Sequence, residues 1–72
     1  MIKKQLGNRI STLRKHLGLT QEQFAEKCDY SIEFVSLVER GINAPSVAGL
    51  AKIAQVLRIQ VKDLFEFESK EK

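Results

Sequence analysis

An all-α fold of five short helices is predicted by three features of the sequence. Apolar residues recur every three or four positions along most of the chain. Hydroxyl residues stand just ahead of the second, third and fourth apolar runs, at Thr20, Ser31 and Ser46, where helix N-caps are wanted. No stretch alternates apolar and polar residues as a half-buried strand does. The 72 residues suit one small domain over 1–67, followed by a short charged tail over 68–72.

In the first helix Ile2, Leu6, Ile10, Leu13 and Leu17 form a single stripe, which reads as core, and Gly18 ends it. The second helix carries two start signals. Thr20 and Gln23 have the spacing of a capping box, and Leu19 and Phe24 that of a hydrophobic staple. Phe24, Ala25 and Cys28 share its inner face, with Ala25 small where the next helix must come close. Asp29 falls where a left-handed turn residue is wanted, and Asp tolerates that conformation better than most residues. Ser31 caps a third helix with Val35 and Val38 inward, and Gly41 stops it.

Pro45 forbids an unbroken helix across the next loop, and Ser46 caps the fourth. Val47, Leu50, Ala51, Ala54 and Leu57 mark that helix, whose first turn is weakened by Gly49. Residues 60–65 read as a short fifth helix with Val61, Leu64 and Phe65 inward.

The net charge of +3 is unevenly spread. Residues 1–21 hold Lys3, Lys4, Arg9, Arg14 and Lys15 with no acid, whereas the rest of the chain sums to −2. A basic first helix suits either a solvated face or a polyanionic partner. One cysteine rules out an internal disulfide framework, and no apolar run reaches membrane-spanning length, so the expectation is a cytoplasmic protein with no membrane role. Cys28 reads as a small core residue and His16, near a helix C-terminus, as a dipole partner. Those two residues do not make a metal site, and no Gly-rich phosphate loop is present. No catalytic residue, metal or cofactor is expected.

With its capped helices and tight turn, the stretch 20–41 resembles the helix-turn-helix of the phage-repressor family, the Cro/C1-type (XRE-type) regulators. The matching residues are Gln21 opening the first helix, Ala25 within it, Ser31 at the second cap, Val35 and Val38 inward, and Glu39-Arg40-Gly41 at the end. Asp29 stands where the family usually has Gly. The resemblance covers about residues 5 to 65, and it implies a lambda-repressor-like, sequence-specific reader of double-stranded DNA, a dimeric repressor or controller on a palindromic site. It also implies base contacts from Ser31, Ile32, Glu33, Ser36 and Leu37. Phosphate contacts would come from Gln21, Arg40 and Asn43, with Arg9 a further candidate. A structural ion pair would join Arg14 to Glu39.

The residues themselves leave some roles open. Glu33 can accept from a cytosine amino group, or can simply be a first-turn acid on a helix dipole. Ile32 and Leu37 can pack on thymine methyls or, with Phe34, meet a protein partner, which makes a protein-interaction module or an antitoxin-type partner-binding protein on the same fold the competing class. Ile59, Leu64, Phe65 and Phe67 are more apolar surface than a small core covers, so they are expected to hold a homodimer.

Overall fold

The three hydroxyl residues all cap helices. The computed structural model describes residues 2–67. Among them are four α-helices, α1 (Ile2–His16), α2 (Gln21–Cys28), α3 (Ile32–Glu39) and α4 (Val47–Leu57), and a 3-10 helix (Val61–Phe65). Thr20 Oγ1 accepts from Gln23 N–H at 3.1 Å, while Gln23 Oε1 accepts from Thr20 N–H at 2.9 Å, closing the capping box. Ser31 and Ser46 each accept from the backbone N–H three residues on. Asp29 is left-handed, with φ 66°, and so is Arg58 after α4, at φ 62°, which nothing in the sequence marked.

α3 packs on both α1 and α2, α4 packs on α2, and the 3-10 helix packs on α1 and α4. At the centre lie Ile10, Phe24, Val35, Ile53 and Leu64, all essentially inaccessible to solvent. Leu19, Tyr30, Phe34 and Leu50 close over this core.

Four expectations need correction. The fifth helix is a 3-10 helix: its bonding runs i→i+3, as from the Asp63 N–H to the Gln60 carbonyl at 2.9 Å, the tighter winding that short connecting helices often take. The stripe of α1 is buried only in its middle: Ile2 and Leu17 are exposed. At 15 residues α1 is about 22 Å long, whereas the eight-residue helices α2 and α3 are about 12 Å, so its ends overhang them. On α4 the buried face is Ile53, Ala54 and Leu57, while Val47 and Ala51 face solvent. In the 3-10 helix only Leu64 is buried, leaving Val61 and Phe65 more than a third exposed. At three residues per turn Phe65 is turned about 120° away from Leu64, while Val61, which shares Leu64's side, stands at the exposed start of the helix. The charged tail over 68–72 lies outside the described residues.

Candidate nucleic-acid interface

α3 is held from behind by an ion pair and a close backbone contact. Arg14, buried on α1, donates from Nε to Glu39 Oε2 at 2.7 Å and from Nη2 to Glu39 Oε1 at 3.1 Å. Its Nη1 donates to the carbonyl of Leu19 at 2.7 Å, so one guanidinium ties α1 to the end of α3 and to the residue before the α2 cap. Gln21, first residue of α2, adds a third strand to the knot: its Nε2 donates to Glu39 Oε1 at 3.0 Å. The bidentate geometry matches the planar fork of Arg, which Lys does not reproduce. Among the described residues no buried side-chain nitrogen or oxygen lacks a partner.

The backbone contact is at Gly7, one turn below Ile10 on α1. A Cβ there would collide with the carbonyl oxygen of Val38 and come within 2.7 Å of that of Glu39. α1 therefore lies directly on the backbone of the last turn of α3. Just beyond, Gly41 has φ 81°, and a Cβ on it would lie 2.8 Å from Lys4 Cα. The sequence reading used Gly41 as a helix stop but missed Gly7 and the approach of Lys4.

These contacts leave the opposite side of α3 clear. Ile32 and Glu33 are exposed, and Ser36 and Leu37 are partly exposed one turn on. Helical spacing sets them in two rows, Ile32 above Ser36 and Glu33 above Leu37. Ser31 is also exposed, but its hydroxyl already accepts from Phe34 N–H. Phe34 is not free for a partner: its ring lies 4.7 Å from that of Tyr30, against the core. Arg40 is exposed at the end of α3, with Asn43 partly exposed in the following loop. Arg9 has a different role. It is two residues from Gly7, about 200° around α1, and its Nε donates to the carbonyl of Asp63 at 3.0 Å, tying α1 to the 3-10 helix away from α3.

The expected dimer residues also separate. Leu64 is wholly buried and has no surface to offer a partner, since it fills the space between α1 and α4. Ile59 and Phe67 are partly buried against the core, and Phe67 meets the exposed Phe65 edge-to-face at 6.1 Å. Cys28 is buried, and burial pushes its thiol up to about 11 despite the nearby Lys52, so it carries almost no thiolate at neutral pH. No group of acidic, His and Cys side chains among the described residues is placed to hold a metal ion. No helix among them is long and apolar enough to cross a membrane.

A short helix held at its inner side and one end, and clear on its outer side, is the arrangement in which a helix-turn-helix presents a helix to the major groove. The sequence profile of the helix-turn-helix family matches residues 10–64. The chain belongs to the Cro/C1-type helix-turn-helix family. It is a DNA-binding transcriptional regulator. Its relatives include the control protein C.MunI of a Mycoplasma species, 37% identical over 97% of this chain and 96% of that one. The crystal structure of the restriction-modification controller protein C.AhdI from Aeromonas hydrophila superposes with a TM-score of 0.83 at 34% identity, over 86% of this chain and 94% of the other. The biofilm master regulator SinR, in a crystal structure with DNA, superposes with a TM-score of 0.79 at 32% identity, over 85% of this chain and 98% of that one. In this Cro/C1-type regulator α2 and α3 are thus the helix-turn-helix.

Proposed function

We propose that this regulator is a homodimeric, sequence-specific repressor or controller that acts in the cytoplasm on a palindromic operator. The observation that carries the reading is the clear outer face of α3, set against an inner side clamped by Arg14, Glu39, Gln21 and the Gly7 contact. A helix fixed to this degree loses little freedom on binding, so more of its contact energy appears as affinity. Ser31, Ile32, Glu33, Ser36 and Leu37 lie on or beside the face that meets base edges. Selection of bound duplexes from a random pool tests the reading. Recovery of a two-fold symmetric site is expected. If no duplex is enriched and none binds at low salt, the reading falls, and the apolar Ile32 and Leu37 belong to a protein contact instead.

Phosphates are gripped on either side of α3. Arg40 and Asn43 follow it, and Gln21 opens α2, whose positive N-terminal end favours an anion although the Gln23 N–H is already taken by the Thr20 cap. Arg9, bonded to the Asp63 carbonyl on the side of α1 turned away from α3, drops out of this set. Arg40→Ala is expected to weaken binding to matched and mismatched sites alike and to reduce the slope of log affinity against log salt by about 1. Gln21→Ala should also weaken both, by removing a phosphate partner and one ligand of Glu39. A loss confined to one base position, measured by titration at several salt concentrations, would contradict the assignment.

Dimerisation rests on Phe65, Phe67 and Ile59, with exposed Val61 added and Leu64 withdrawn. A two-fold contact covers this apolar edge with its own copy. It also sets two α3 helices about 34 Å apart, one per half-site. Phe65→Glu is expected to yield a monomer by sedimentation at micromolar concentration while leaving the helical content intact. A monomeric mass for the unaltered chain would remove the dimer.

A further inference from the structure

The outer face of α3 is unusual in what it can offer a base. From Asp29 to Glu39 there is no Arg, Lys, Gln, Asn or His. The side chains that make the usual bidentate contacts to guanine and adenine are therefore missing. What remains exposed is one carboxylate, Glu33, beside the side chain of Ile32, with Leu37 and Ser36 one turn behind them. Glu33 is not engaged in any ion pair or hydrogen bond within the described residues.

The chemistry of the major groove converts this into a preference. Guanine shows two acceptors there, O6 and N7, which repel a carboxylate, and adenine sets its N7 acceptor directly beside the N6 amino donor. Thymine shows an acceptor and a C5 methyl. Cytosine shows only the N4 amino donor, with C5 next to it. A face made of one acceptor beside branched apolar groups thus fits pyrimidines: the carboxylate accepts from a cytosine amino group, and the apolar side chains cover C5 positions. The two rows on α3 place an apolar and a polar group at each level, so Ile32 and Leu37 flank Glu33 on the face offered to neighbouring bases.

We propose that α3 reads the pyrimidine strand of its half-site, with Glu33 accepting from a cytosine amino group and Ile32 and Leu37 packed on pyrimidine C5 methyls. The binding is therefore sensitive to C5 methylation, with a methyl on a cytosine beside Ile32 or Leu37 acting as a thymine methyl does. This rests on the operator-binding reading above.

The test uses the full chain and an operator recovered by selection. Each thymine of the half-site is replaced in turn by deoxyuridine, which lacks only the methyl, and each cytosine by 5-methylcytosine. At one or two thymine positions a three- to fivefold loss of affinity is expected, about the worth of one buried methyl. That loss should vanish in Ile32→Ala or Leu37→Ala. Glu33→Gln should move the preference at one position from cytosine to adenine by about tenfold, because Gln matches the adenine N6 and N7 pair. A first-turn acid acting only on the helix dipole would lower stability when replaced and leave every base preference unchanged. If a symmetric operator is recovered, yet methyl removal, cytosine methylation and Glu33→Gln all leave base preference untouched, the inference is overturned while the regulator reading stands. If no operator is recovered, both fall.

Discussion

Arg14→Ala is expected to destabilise the domain by about 3–5 kcal/mol, the usual cost of removing one partner from a buried pair. The magnitude follows from what is left behind. Glu39 would keep a buried carboxylate with only the Gln21 amide as partner, and the Leu19 carbonyl would lose its donor. A domain of this size has about 5–15 kcal/mol in total. At about 4–8 °C per kcal/mol, the melting temperature should fall by at least about 12 °C. Lys15→Ala, on the exposed neighbouring position, should shift it by no more than a few degrees. The double variant Arg14→Ala with Glu39→Ala should be less destabilised than the sum of the two single variants, since neither then leaves a lone charge. Thermal denaturation followed by circular dichroism decides it. Equal melting temperatures for Arg14→Ala and Lys15→Ala would remove the pair from any account of how α3 is held.

Gly7→Ala reverses the usual sign of a glycine replacement. In an exposed helix interior the change stabilises by about 1 kcal/mol, because Ala is the better helix former. Here the added Cβ runs into the carbonyl oxygens of Val38 and Glu39. Backbone atoms cannot rotate away as a flexible side chain does, so α1 and α3 must part. Overpacking of this kind costs about 1–3 kcal/mol and at times more. The parting also lengthens the Arg14–Glu39 bonds, whose 2.7 Å contact spans the same two helices. A net fall in melting temperature of several degrees is expected, together with weaker binding to DNA, because the carbonyls displaced belong to the last turn of α3. Asn8→Ala, exposed on the same helix, is the control and should be neutral or slightly stabilising. A Gly7→Ala protein that melts at or above the parent temperature would show that the two helices have room to spare.

Local chemistry was enough to read three helix starts and the turn after α2, though not the left-handed Arg58 that ends α4. Thr20, Ser31 and Ser46 cap because a hydroxyl can satisfy a first-turn N–H with no help from the rest of the chain, and Asp29 turns because its own side chain tolerates a positive φ. The stretch 20–41 could be recognised as a helix-turn-helix for the same reason: its signals all lie within two adjacent helices. The outward placement of Ile32 and Glu33 followed from the inward spacing of Val35 and Val38.

Where elements from distant parts of the chain meet, only the tertiary structure decided. Leu64 and Phe65 are adjacent and equally apolar, yet one fills the core and the other reaches solvent, a choice set by how the 3-10 helix lies across α1 and α4. Arg9 reads as one more base on a basic helix until Asp63, 54 residues away, supplies the carbonyl that occupies it. Gly7 looks like a weak point in a helix, because the atoms that require it belong to Val38 and Glu39. Periodicity says which side of a helix is apolar, but the place where another backbone crosses that side is a property of the packed molecule.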